Sequence, residues 1–225
     1  EMDAHVIKKI SRPAQNLVQE LADFETATVH EAYGGKGALS CDIKPIDPSG
    51  RVCGPAVTVS GRPGDNLILH KAIYVAEPGD VLVATVGGYT EAGPWGEIMT
   101  VAAQARKIAG LIIDGSVRDS SAIRRLRFPV FSRAISIKGT TKETLGLINH
   151  PIHMGGISIR PGDIVLGDAD GVVVVAASDL TWVLEKCRQR REKEEKAMEE
   201  IKRGKSTLEL YGFDKVLNAK GLREE

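Results

Sequence analysis

The sequence predicts an α/β protein in which sheet packs on sheet and helices lie outside. Three observations carry this. Residues 111–114, Leu-Ile-Ile-Asp, form an apolar run that ends in a carboxylate, directly after an Ala-rich stretch with helical spacing. Turns with a Pro-Gly-Asp core recur at 63–65, 78–80 and 161–163, each between short segments, which argues for several short strands rather than long parallel crossovers. A long, highly charged helical pattern runs from 179 to 201.

Taken in order, residues 13–33 read as helix. Leu17, Val18, Leu21 and Phe24 recur at helical spacing, and Thr26 or Thr28 can cap a second short helix that ends at Gly34-Gly35. Residues 36–47 hold enough Gly and Pro to be loop. Residues 55–60 alternate β formers and read as a strand, followed by a turn at 62–66 and a helix over 67–75. The turn at 77–80 leads into a strand at 81–86, closed by Gly87-Gly88. Residues 97–108 form a helix whose apolar face is Ile98, Val101, Ala102, Ala105 and Ile108. It feeds the strand at 111–114, with Gly115 placed to make a tight turn. A short helix at 121–126 and a strand at 129–132 follow, then polar, irregular chain at 140–145. A strand with a bend covers 152–157. The third Pro-Gly-Asp turn precedes a strand at 164–166, a turn at 168–171 and a strand at 172–175. Ser178 or Asp179 caps the long helix and Gly204 ends it. Residues 1–178 are thus expected to be the core, and 179–225 a C-terminal helix and tail. The middle of that helix, 188–196, is almost wholly charged, so it is either a solvated helix or one that reaches over a neighbouring subunit.

Lys plus Arg and Asp plus Glu balance at 30 each, which removes any electrostatic case for general nucleic-acid binding. Cys41, Cys53 and Cys187 follow no metal or disulfide spacing and fit reduced thiols in a cytoplasmic protein. No apolar run approaches membrane length, and the opening Glu-Met-Asp-Ala-His does not read as a secretory signal. A Gly-x-Gly-x-x-Gly strand–helix turn, a phosphate loop, a Gly-x-Ser-x-Gly elbow and a His-x-x-x-His pair are all absent from the sequence. His150 and His153 flank a proline and fit a structural role.

Carboxylates remain. Glu97 stands in the first turn of its helix, and Asp119 in the loop after the strand that helix feeds. Oxygen ligands with several waters suit Mg²⁺ or Mn²⁺. The helix-start amides of Ile98 and Met99 can hold a substrate carboxylate, and Arg118 a developing enolate oxygen. A capping role for Glu97 and a structural salt bridge for Asp119 stay open. Arg62, Asn66 and Lys138 are weaker pocket candidates, as are Tyr89 and Glu91 of the 87–93 loop.

The run from Pro94 to Asp119 resembles the signature of the class II 4-hydroxy-4-methyl-2-oxoglutarate / 4-carboxy-4-hydroxy-2-oxoadipate aldolases, relatives of the regulator of ribonuclease E activity A. The resemblance extends to Thr28-Val-His-Glu-Ala32, Pro63-Gly-Asp-Asn66, Ser136-Ile-Lys-Gly-Thr140, Gly162-Asp163 and the 168–173 turn. It implies a swivelling-domain-like (phosphohistidine-type) β-sheet core with outer helices, and homotrimers or homohexamers with sites between subunits. It makes Arg118 the substrate-binding arginine and Asp119 the Mg²⁺ or Mn²⁺ ligand. Glu97 stands where many members have Asp, and Glu194 matches a glutamate donated by the adjacent subunit. The implied reaction cleaves a 4-hydroxy-2-oxo acid to pyruvate and a second oxo acid, with oxaloacetate decarboxylation as the companion activity. The regulator branch, which binds an RNA-processing enzyme without catalysis, is the alternative, as is a lyase or decarboxylase for another 2-oxo acid.

Overall fold

The computed structural model describes residues 4–223. The reading of the first three residues as free of a secretory signal falls outside that range.

In chain order the elements are β1 (His5–Val6), α1 (Gln15–Ala22), α2 (Thr26–Ala32), β2 (Lys44–Pro45), β3 (Val52–Ser60), α3 (Leu67–Ile73) and β4 (Val81–Thr85). Then come α4 (Glu97–Ala105), β5 (Gly110–Val117), α5 (Ser120–Leu126), β6 (Val130–Ile135), β7 (Leu147–Ile148), β8 (Ile152–Met154) and β9 (Ile157–Ile159). The chain continues through β10 (Ile164–Asp168), β11 (Gly171–Val175), α6 (Leu180–Lys202), α7 (Thr207–Tyr211) and α8 (Phe213–Ala219).

Strands β3, β4, β5 and β6 are parallel neighbours, joined in turn by α3, α4 and α5. Parallel crossovers are therefore present, contrary to what the Pro-Gly-Asp turns suggested. Those turns join elements of both kinds: one starts a helix, and two start strands. The sheet-on-sheet reading holds alongside them, because β3 serves two sheets. Its residues 52–55 pair antiparallel with β10, and residues 56–60 pair parallel with β4.

Side-chain alternation along the strands then builds four layers. Val57, Val59, Leu82, Leu111 and Ile113 face α3, α4 and α5. Ala56, Val81, Val83, Ile112 and Phe131 face the second sheet, where Val165, Val172 and Val174 meet them. The far side of that sheet, with Ile164, Leu166, Val173 and Val175, packs on Val18, Leu21, Phe24, Leu180, Val183 and Leu184 of α1, α6 and the chain between. Both faces of β4 and β5 are covered, which is why they read as continuous apolar runs.

The central strand runs further than its sequence suggested. β5 continues through Gly115 to Val117, with a register shift between Ile113 and Ser116 that adds one residue to β5 against β6. Gly115 sits in this bulge and not in a tight turn. A Cβ there would lie 2.5 Å from Val86 and 3.1 Å from the Tyr89 carbonyl, so close packing of the neighbouring strand end demands glycine.

The apolar face assigned to α4 is also corrected. Met99, Thr100 and Ala103 are buried, whereas Ile98 is 81% exposed and Val101 is exposed too. Trp95, just ahead of the helix, fixes this rotation: its fully buried ring stacks on Phe128, and its Nε1–H donates to Thr100 Oγ1 at 2.8 Å. Neither Thr26 nor Thr28 caps α2. Glu25 holds the N-cap position, and the Thr26 amide and hydroxyl both donate to Asp168. Asp179 is the N-cap residue of α6, but its carboxylate accepts from Tyr33 instead of the helix.

The first turns of α6 bury Leu180, Val183, Leu184 and Cys187 against this chain's own α1 and α2. Arg188 then pairs with Glu20 at 2.6 Å, Arg190 with Glu31, and Arg191 lies over the Phe24 ring. The charged middle is thus partly anchored at home, and the helix beyond it projects into solvent.

Candidate functional site

The site lies at the carboxyl end of β5, where open α/β sheets commonly bind ligands. Val117 ends the strand, Arg118 follows, and Asp119 takes φ 57° and ψ 35° at the N-cap of α5. A left-handed conformation is uncommon outside glycine, although Asp tolerates it better than most residues. An Asp at an N-cap normally accepts from its own helix. Asp119 does not: its Oδ2 accepts the Glu97 amide N–H at 3.1 Å, across to the start of α4. The Arg118 Nε stands 3.6 Å from the same oxygen.

Two glycines make this approach possible. A Cβ on Gly96 would lie 2.5 Å from Asp119 Oδ2, and one on Gly93 would lie 2.9 Å from Arg118 Cβ. The Arg118 amide donates to the Trp95 carbonyl at 2.8 Å, laying the 93–96 segment along the Arg118-Asp119 pair.

These residues line a cavity of ≈ 220 Å³, together with Asn66 and His70 of the α3 start, Ile98, Met99, Gly139, Thr140 and Lys142. That is below the roughly 300–1,000 Å³ of pockets for drug-sized molecules and suits a small metabolite. The amides of Ile98 and Met99 donate to no backbone carbonyl among the described residues, so they remain open donors at a helix start. Asn66 is buried; its Nδ2 donates to the Pro94 carbonyl at 2.9 Å, while its Oδ1 has no protein partner. A buried acceptor left unpaired in a cavity wall calls for a donor from the ligand or its water. Burial, and then the nearby Lys142 ammonium, push the His70 pKa below its ordinary value.

Of the residues singled out in the sequence, Asn66, Glu97, Ile98, Met99, Arg118 and Asp119 converge on this cavity. Glu194 does not: it lies on α6, paired with Arg190 at 2.7 Å. Arg62, Tyr89, Glu91 and Lys138 stand outside the lining, and Lys138 pairs with Glu91 at 2.7 Å. His70, Thr140 and Lys142 escaped the sequence reading. His70 follows Asn66 by four residues on α3, a same-face spacing that was available as a signal. Lys142 and Thr140 lie on irregular chain, which has no periodicity to read.

Among the described residues no three His, Cys, Asp or Glu side chains group as a metal cage. The site offers oxygen: the Asp119 and Glu97 carboxylates and the orphaned Asn66 carbonyl. That set fits Mg²⁺ or Mn²⁺, which are bound through one or two carboxylates and keep most of their waters.

The cavity joins a guanidinium, two carboxylates and helix-start amides at the carboxyl end of a central strand of an α/β fold. Comparisons with known proteins give the family. The RraA-like family model, described as Aldolase/RraA, matches residues 26–174. A Halalkalibacterium halodurans protein provisionally named a 4-hydroxy-4-methyl-2-oxoglutarate aldolase is 37% identical over 186 residues, covering 83% of this chain and 89% of that one. Among solved structures, an uncharacterised Pseudomonas syringae pv. tomato protein superposes with TM-score 0.78 at 29% identity, over 88% of this chain and 97% of its own. Streptomyces coelicolor RraAS2, described as an unusual member of the RNase ES inhibitor RraA protein family, gives TM-score 0.74 at 27% identity, over 84% and 100%. The chain belongs to the RraA-like family, which spans aldolases and RraA proteins. No helix among the described residues is long and apolar enough to cross a membrane.

Proposed function

We propose that this chain is a divalent-metal-dependent lyase. It cleaves a 4-hydroxy-2-oxo acid, such as 4-hydroxy-4-methyl-2-oxoglutarate or 4-carboxy-4-hydroxy-2-oxoadipate, to pyruvate and a second oxo acid. It also decarboxylates oxaloacetate, since both reactions pass through the enolate of pyruvate. The observation that carries this reading is the Asp119 carboxylate, turned from its own helix to the Glu97 amide with Arg118 beside it.

Mg²⁺ or Mn²⁺ held by Asp119, and through waters by Glu97, supplies Lewis-acid polarisation of the 2-oxo group. The chain's residues do the rest. The Ile98 and Met99 amides hold the C1 carboxylate. Asn66 Oδ1 accepts a hydroxyl or water hydrogen. Glu97, exposed in the cavity lining, takes the 4-hydroxyl proton through a water. The C3–C4 bond breaks, its electron pair passes into the enolate, and Arg118 stabilises the oxygen where charge gathers. The same proton returns through water to C3.

On the other side of Glu97, Arg118 and Asp119 lies an open depression that includes Ile135 and Ile137, the latter 92% exposed. With Ile98 and Val101 this puts bare apolar surface on both sides of the site, the mark of a protein interface. A second copy of the chain in a trimer or hexamer covers it and brings its Glu194 toward the cavity.

A second reading draws on the likeness to Streptomyces coelicolor RraAS2. In it the same apolar surface binds an RNA-processing enzyme and the cavity catalyses nothing. One assay separates the two: add Mg²⁺ or Mn²⁺ with oxaloacetate or the hydroxy-oxo acids and follow pyruvate through lactate dehydrogenase. Metal-dependent pyruvate release above the rate with metal alone, from either substrate class, supports the lyase; its absence from all of them refutes the lyase reading for these substrates and favours the binding protein.

A further inference from the structure

The three Pro-Gly-Asp turns do not use their aspartates alike. Asp80 accepts the Glu77 amide at 2.8 Å and Asp163 accepts the Arg160 amide at 2.8 Å, so each closes its own turn while also taking one outside partner, the Arg12 guanidinium and the Ala177 amide respectively. Asp65 spends its carboxylate elsewhere. Its Oδ1 accepts the Leu67 amide at 2.9 Å, at the start of α3. Its Oδ2 accepts the Thr141 hydroxyl at 2.8 Å, the Glu143 amide at 2.7 Å and the Thr144 amide at 3.1 Å. Those three donors belong to the irregular segment 136–146 between β6 and β7, which carries Gly139, Thr140 and Lys142 to the cavity. Backbone bonds from Thr141 to Gly64 and from Asn66 to Thr141 run alongside. Asp65 is 3% exposed and does not line the cavity itself. Burial alone would raise its pKa, but the Glu143 and Leu67 amides, the Thr141 hydroxyl and the Thr144 amide outweigh it and hold the pKa down at about 2.

We infer that Asp65 is a positioning residue: it ties the 136–146 segment to the start of α3 and so sets the spacing between Asn66 and His70 on one wall and Thr140 and Lys142 on the other. It governs how tightly substrate is held, not the bond-breaking at Arg118 and Asp119. Asparagine is the informative substitution. It keeps size, but either orientation of its amide turns an NH₂ group toward N–H donors.

The kinetic part of this inference rests on the lyase reading. In Asp65→Asn, KM for the hydroxy-oxo acid is expected to rise on the order of tenfold with kcat within about threefold, the pattern of lost uniform binding. Affinity for Mn²⁺ alone is expected to stay within about threefold, because Asp119 and Glu97 are untouched. The Glu143 and Thr144 amides are expected to exchange hydrogen faster. Thr141→Ala moves KM the same way by less, and Thr141→Ser, which keeps the hydroxyl, restores it; this pair decides the matter if Asp65→Asn does not fold. Unchanged KM in Asp65→Asn and Thr141→Ala, or a loss confined to kcat, overturns the inference. Should the wild-type chain release no pyruvate, the lyase reading falls by itself, and unaltered exchange at Glu143 and Thr144 then overturns the role of Asp65.

Discussion

Gly96→Ala tests whether the placement of the Asp119 carboxylate matters to the site. Gly96 has φ −151° and ψ −160°, extended backbone that alanine adopts freely, so the fold bears no dihedral cost. The added methyl, however, would sit 2.5 Å from Asp119 Oδ2 and 3.1 Å from Arg118 Cγ. Restoring an ordinary contact of about 3.4 Å moves the carboxylate oxygen by about 0.9 Å. The 3.1 Å bond from the Glu97 amide is lost with that movement. A hydrogen bond to a charged group contributes about 1.5–3 kcal/mol, which corresponds to roughly ten- to hundredfold in an equilibrium constant. Mn²⁺ titration followed by electron paramagnetic resonance is expected to show affinity down by about that factor, and pyruvate release at fixed metal is expected to fall with it. The thermal unfolding midpoint of the metal-free protein is expected to fall by only several degrees, since the same bond is lost from the fold while the rest of the core is untouched. Wild-type metal affinity and turnover in Gly96→Ala would refute the reasoning, since the carboxylate would then work from a place it cannot occupy in this geometry.

Two further predictions concern the same corner of the molecule. Arg118→Lys keeps the charge but loses the planar fork, and kcat for pyruvate release is expected to drop on the order of a hundredfold; unchanged kcat would remove Arg118 from enolate stabilisation. Thr100→Val leaves the buried Trp95 Nε1–H without its acceptor, and urea unfolding is expected to register a loss of about 1–3 kcal/mol. A variant as stable as wild type would show that the Trp95–Thr100 bond does not set the rotation of α4.

The sequence was legible where burial forces a pattern. Residues 111–114 had to be a central strand because an uninterrupted apolar run needs cover on both faces, and α3 to α5 with the second sheet provide it. Glu97, Arg118 and Asp119 could be grouped beforehand because α4 leads straight into β5, which returns the chain to the start of the helix. Periodicity failed on α4 for a physical reason: Ile98 and Val101 are apolar yet exposed, and hydrophobicity does not tell a core face from a face that awaits a partner. The split pairing of β3 left no mark because both halves are equally buried. Asp65 looked like one of three equivalent turn aspartates, and only the arrangement in space separates it from Asp80 and Asp163.

One strand shared by two sheets has a consequence for how the molecule comes apart. Residues 52–55 of β3 cannot let go of β10 without loosening 56–60 against β4 a few ångströms along the same backbone. Heat or denaturant therefore finds no line of cleavage between the layers, and the cavity's two walls melt with everything else in a single concerted event. The outer part of α6 and the short helices after it stand apart from this lock, so a protease can trim them while the remainder keeps its shape.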